Sequence, residues 1–211
     1  MSNITSRKPN RVYLERLIFM AALLIPSSFM QGVRVLPVAA LSVAFCMITD
    51  RICCLIRKIP YDRNDATVPF WGLAAAMLMP SCVPLWLTAL SAVICIALGK
   101  HIFGGSDNIL FSPPALAAAF LIICYPSNML YFTRVGEQYP VFGEFSGTLV
   151  RSLEHSLELR NVPTYLIPDV MMGNVPGSIG AVNIFVILVC AVCLLFRRGN
   201  SICAVVSCLV T

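Results

Sequence analysis

The residues of this sequence that could do chemistry are few, and they sit in or beside long apolar runs. The stretch Lys100–Met129, KHIFGGSDNILFSPPALAAAFLIICYPSNM, joins a Gly104-Gly105 pair and a polar turn with Asn108 to Ser112, a Pro-Pro helix start and a second proline stop. Irregular, glycine-rich backbone at membrane depth is tolerated only where protein buries it or a cavity needs it, so this break is a candidate site. Asp50 and Arg51 stand near the end of another apolar run. Charges in such a run are candidates for an ion pathway, but within two turns of a helix end they are expected to snorkel to the interface. His101 beside Lys100 offers a proton relay, with an interfacial polar cap as the preferred reading. His155, between Glu154 and Glu158, fits a solvated helix face. Two histidines without a matching partner set make no metal site. Seven of the ten cysteines lie in apolar runs, where cysteine packs as a small hydrophobe. The Cys190–Cys193 CxxC falls inside an uncharged helix with no second pair at zinc spacing. There is no nucleophile–base constellation, P-loop or dinucleotide fingerprint.

The elements that must position these residues are hydrophobic. The chain of 211 residues is 58% hydrophobic and 12% charged, with a mean hydropathy of +0.84, where soluble domains are about 45–50% apolar and about 25% charged. The fold class expected is all-α: a polytopic transmembrane helical bundle with short or broken helices and about six membrane segments. The net charge of +5 lies at the ends of apolar runs, where it sets topology, and no basic-aromatic pattern suggests nucleic acid.

Apolar runs are expected at Leu14–Met30 (interrupted by Pro26), Val35–Ile56, Phe70–Met79, Leu85–Leu98, within Lys100–Met129, and at Ile179–Phe196. The third is short for a span of about 20 residues. Broken segments of this kind build midplane sites in transporters, and a core helix shielded by partner subunits accounts for the shortness equally well. One membrane domain is expected over residues 1–211. Residues 1–13 form a cytoplasmic tail, 14–129 hold five membrane segments, and 130–178 form an extracytoplasmic loop. Residues 179–198 are a further span and 199–211 the start of an incomplete one. With the N-terminus cytoplasmic, eleven of the fifteen basic residues fall inside, in accord with the positive-inside rule.

Five motifs occur in a fixed order: GLAAAMLMP (Gly72–Pro80), PLWLTALSAVICIALGK (Pro84–Lys100), FGGSDNILFSPPA (Phe103–Ala115), YPSNM (Tyr125–Met129) and GNVPGSIG (Gly173–Gly180), followed by a helix ending in FRR. This set resembles the D subunit of the Rnf electron-transport complex and, similarly, the B subunit of the sodium-pumping NADH:quinone reductase. The resemblance implies a multi-pass subunit in a prokaryotic inner membrane, working with other membrane subunits rather than as a stand-alone enzyme. Such a complex couples ferredoxin/NAD redox chemistry to Na⁺ or H⁺ transport. It also implies FMN joined by a phosphodiester to a threonine in a D-x-x-S-G-A-T motif, for which the match is Ser146-Gly147-Thr148, with the alanine missing. A second turn, F-G-G-x-G-x-N-x-F-N-P-A, is associated in the family with a noncovalent flavin. Phe103, Gly104, Gly105, Phe111 and Pro113 match it; Ile109 and Ser112 replace its asparagines, with Asn108 adjacent. Asparagine amides both donate to and accept from a ring edge, which isoleucine cannot do. Family members continue through several more helices after the Arg-Arg pair, whereas this chain reaches Thr211. A fragment, a frameshifted product and a diverged short paralogue are the readings this leaves. A flavin-free structural or assembly subunit is the alternative function. A small secondary transporter rests only on the broken helices.

Overall fold

The computed structural model describes residues 9–58, 65–102, 111–133, 149–151, 175–181 and 184–195, together with 168 and 173. Among the described residues, two helices are long and apolar enough to cross a bilayer: α1 (Pro9–Gln31), which runs through Pro26, and α2 (Val35–Arg57). They are joined by a tight turn in which Gly32 takes φ 93°. Three shorter apolar helices follow: α3 (Thr67–Met77), α4 (Leu85–Ile96) and α5 (Pro113–Cys124). A π turn over Ala97–His101 extends α4, with Ile102 N–H reaching back to the Ala97 carbonyl at 3.2 Å. Prolines open α5 and the one-turn α6 (Pro126–Met129), where a missing N–H costs nothing. β1 (Tyr131–Thr133) pairs antiparallel with β2 (Leu149–Arg151), a small sheet that the all-α expectation did not include. A 3₁₀ turn at Ile179–Ala181 precedes α7 (Ile184–Leu195). The span expected from Ile179 opens on this 3₁₀ turn, and its described α-helical part is Ile184–Leu195.

The shortness of α3 has a simple cause. At about 1.5 Å per residue its 11 residues cover about 16 Å, and Val68, Trp71, Leu73, Ala75 and Ala76 are all buried. It is the central helix, walled by α1, α2, α4 and α5 of its own chain. The shield expected from partner subunits is supplied internally. Gly72 permits this: a Cβ there would stand 3.0 Å from Val43 Cα and 3.1 Å from Cys46 Sγ.

The polarity of the bundle is inverted relative to a soluble protein. Ser42, Thr88 and Ser91 are buried at 0–1% exposure, while Phe29, Leu55 and Ile123 stand about 80% exposed. Apolar residues on the outside need an apolar solvent, and small polar ones inside let helix backbones approach. The Ser42 hydroxyl donates to the Gly72 carbonyl at 2.7 Å, tying α2 to α3.

The bundle has two distinct ends. At one, the starts of α1 and α3 meet the ends of α2 and α4 and the start of α5; Tyr13 stacks near Phe70 and Trp71 there. Gly99 in the π turn packs against Pro113 at this end, and an added Cβ would lie 2.5 Å from Pro113 Cβ and 2.8 Å from its Cα. At the other end, the segment before α7 covers the break after α3. Ile179 N–H donates to the Met79 carbonyl at 2.9 Å, Ser27 Oγ donates to the Ile179 carbonyl at 2.7 Å, and Gln31 Nε2 donates to the Gly177 carbonyl at 2.9 Å. Arg34 closes the same end by donating to the Val83 carbonyl at 3.1 Å. These bonds satisfy backbone that a helix break would otherwise leave unpaired in an apolar setting.

Gly99→Ala tests the first of these joints. Neither the Pro113 ring nor its backbone can yield, so α5 must shift, and we expect a loss of about 1–3 kcal/mol, typical of overpacking. Thermal denaturation in detergent measures it; an unchanged transition would mean that α5 is not held at Gly99.

Candidate functional site

The site grows out of the end of α2. Asp50 is near the last turns of that helix and is 2% exposed. The α4–π segment runs alongside α2 in the same direction and delivers Lys100 and His101, the last two residues of the π turn, to the same place. Lys100 Nζ donates to Asp50 Oδ1 at 2.9 Å, and His101 Nε2 lies 2.9 Å from that same oxygen. Against an ionised carboxylate, which only accepts, the imidazole nitrogen is the donor.

A second carboxylate completes the junction. Lys100 Nζ also donates to Asp65 Oδ2 at 2.9 Å. The other Asp65 oxygen accepts from Thr67 N–H at 3.0 Å and from the Thr67 hydroxyl at 2.6 Å. This is the ordinary use of a short acidic side chain at a helix start. Burial alone would raise the Asp65 carboxyl, but the Thr67 hydroxyl and the Lys100 ammonium outweigh it and hold it below the usual carboxylate range. The Trp71 ring lies under the ammonium at 6.0 Å from its centroid, at the edge of cation–π range. Arg57, the last residue of α2, donates from Nη1 to the His101 carbonyl and pins the π turn. π turns of this kind recur at functional sites, since they leave backbone groups to be satisfied by side chains.

Chemically, the junction is a buried ammonium shared between two carboxylates, with an imidazole on one of them. It can hold a cation, and it can relay a proton between His101 and Asp50. The structure corrects two expectations. Asp50 does not snorkel: it points inward and pairs with Lys100 and His101, while its neighbour Arg51 is exposed. His101 is not an interfacial cap but a buried partner of Asp50, at 9% exposure. Sequence reasoning missed Asp65, which reads as part of a polar linker. Its signal is present in Asp65-Ala66-Thr67 ahead of an apolar run, an N-terminal helix signature.

Most of the residues expected to hold flavin are not among those described. Gly104, Gly105, Asn108, Ser146, Gly147 and Thr148 lie outside the described residues. Ser112 is exposed at the start of α5, and its side chain makes no capping bond. Ser112 adjoins Pro113 and thus the junction end of the bundle. Leu149, which follows Thr148, pairs with Thr133, and Thr133 Oγ1 lies 3.3 Å from Ser81 Oγ in the break between α3 and α4. The described residues bordering the two stretches expected to take flavin therefore belong to opposite ends of the bundle. His155 also lies outside the described residues. Cys46, Cys54 and Cys95 are buried in the core as expected, and Cys124 is exposed.

Lys100→Met should cost about 3–5 kcal/mol, because it strands two carboxylates in a buried place. Denaturant titration in detergent reads the loss, and a change below about 1 kcal/mol, the range of exposed pairs, would show that the ammonium bears no weight. Acid gives a second reading. Because the folded Asp65 value is depressed, its stabilisation is present above the unfolded value of about 3.9 and is lost as pH falls through the folded one. Asp65→Asn should flatten the stability–pH curve below about pH 4 and leave its shape near neutrality; an unchanged acid limb would contradict this.

Comparison with known proteins agrees with this architecture. The profile described as the NQR2, RnfD, RnfE family matches residues 4–211. The B subunit of the Na(+)-translocating NADH-quinone reductase of Klebsiella pneumoniae strain 342 is 34% identical over 136 residues, 60% of this chain and 31% of that protein. The protein of the same name from Chromohalobacter salexigens is 30% identical over 125 residues, 58% of this chain and 29% of its own length. That from Haemophilus influenzae strain PittEE is 30% identical over 132 residues, with shares of 58% and 30%. The match spans less than a third of each of these relatives. A helical bundle with apolar faces outward, broken where its ordered motifs fall and matched along nearly its whole length, belongs to the NQR2, RnfD, RnfE family of membrane proteins.

Proposed function

We propose that the chain serves as a membrane subunit of an NQR/Rnf-type ion-translocating oxidoreductase, with Thr148 as the acceptor of a covalent FMN. Family membership over residues 4–211 carries this reading. The relatives are named as subunits of a Na(+)-translocating NADH-quinone reductase, and a polar junction inside an apolar bundle is what a cation-handling membrane subunit requires. Bound FMN would supply the one- and two-electron redox chemistry. The chain supplies attachment and position: Thr148 offers its hydroxyl for the phosphodiester, and Ser146-Gly147 give the short flanking sequence a flavin transferase reads. The neighbouring Leu149 is 47% exposed at the start of β2, in keeping with a bulky group attached beside it. Gly104, Gly105, Asn108 and Ser112 form the turn for a separate, noncovalent flavin. In this reading the N-terminus is cytoplasmic, residues 130–178 face the outer side of a prokaryotic inner membrane, and further membrane subunits cover the apolar faces. The coupled ion is Na⁺ or H⁺.

A second reading, a flavin-free structural or assembly subunit, is favoured by Ile109 and Ser112 standing where the family's turn has asparagines. Intact-mass measurement separates the two. Produced together with a flavin transferase, the chain should carry the mass of one FMN, and Thr148→Ala should lose it. An unmodified wild-type chain under those conditions would leave the structural reading standing.

A further inference from the structure

We infer that Asp50, Cys54 and His101 form a binding site for a borderline-soft divalent metal ion such as Zn²⁺, placed where α2 meets the π turn. One ligand atom from each of the three lies within 4.8 Å of the others. Asp50 and Cys54 are one helical turn apart on α2 and so share a face, and His101 approaches that face from the π turn. Carboxylate, thiolate and imidazole are the donor types that zinc and its neighbours take, in sites that keep three protein ligands and one open position. Asp50 is 2% and Cys54 8% exposed, so the site is already desolvated.

The hydrogen bonds at the junction allow Asp50 to change partner. Two carboxylates, Asp50 and Asp65, share the single Lys100 ammonium. Lys100 holds Asp50 with one hydrogen bond and Asp65 with another, so it can release Asp50 to the metal and remain paired to Asp65. Binding replaces the Cys54 S–H bond with a metal–sulfur bond and expels that proton to solvent; no electron moves. His101 exchanges its bond to Asp50 for a bond from Nε2 to the metal, its ring proton shifting to Nδ1 so that the imidazole stays neutral. The ligands escape notice in the sequence because His101 is far from Cys54 in the chain. The site stands on this geometry alone and needs neither flavin nor electron donor.

The experiment uses the full chain purified in detergent, stripped with a chelator and titrated with Co²⁺ as the probe for Zn²⁺. Wild type and Cys53→Ser should each bind one Co²⁺ and show a thiolate-to-cobalt charge-transfer band in the near ultraviolet. Cys54→Ser should lose the band, and His101→Gln should weaken binding at least about tenfold, the loss that removal of even an outer-shell partner of a ligand brings. Elution volume and helical content report whether each variant folds. Absence of the band in the folded wild type would overturn the assignment. So would a band that survives in Cys54→Ser, or Co²⁺ affinity unchanged in His101→Gln.

Discussion

The bundle depends on a buried ammonium held between two carboxylates. Lys100 on the π turn bonds Asp50 on α2 and Asp65 ahead of α3, so one side chain fixes the mutual position of three elements. Burying such charges is costly, and the attraction offsets that cost only with good geometry and full hydrogen bonding. Here each oxygen that Lys100 contacts is at 2.9 Å, and the remaining Asp65 oxygen is taken up by Thr67. The same constraint accounts for the π turn. Lys100 and His101 are the last two residues of that turn, and both reach the same Asp50 oxygen from it.

The rest of the architecture follows from satisfying polar groups where water is scarce. Small residues, Gly72 and Gly99 above all, let helices approach until backbone and hydroxyl groups meet. At the end remote from the charged junction, single side chains do equivalent work: Ser27, Gln31 and Arg34 bond the carbonyls of the segments that interrupt the helices. The two ends thus differ in kind. One is built on ion pairs and tied to the start of α5; the other is built on bonds to backbone carbonyls and tied to the segment before α7. The described borders of the two stretches expected to take flavin, Ser112 and Leu149, divide between them in the same way.

The helical, bilayer-matched class of the fold was legible because composition and apolar run length report it directly. α2 was legible nearly to the residue, since the Gly32 turn and the basic cluster at Arg57 and Lys58 bound it sharply. The site was not. Nothing local in the sequence distinguishes an Asp50 that snorkels from one that turns inward; the difference lies in Lys100, fifty residues away, and in a π turn that leaves no periodic signature in an apolar run. Distance from a helix end was the wrong criterion, because the π turn after α4 and the start of α3 pack against α2 at the level of Asp50. Asp65 shows the opposite case: its capping pattern with Thr67 was local and readable, but its bond to Lys100 was not.

The central claim is that Asp50 and Lys100 act as one unit. A double-mutant cycle measures that directly, using Asp50→Asn, Lys100→Met and the double variant, each unfolded by denaturant in the same detergent. Coupled residues in one buried network give interaction energies of about 0.5–3 kcal/mol, and we expect a value in the upper half of that range, with the double variant more stable than Lys100→Met alone. Additivity of the two single effects to within about 0.5 kcal/mol would contradict the account.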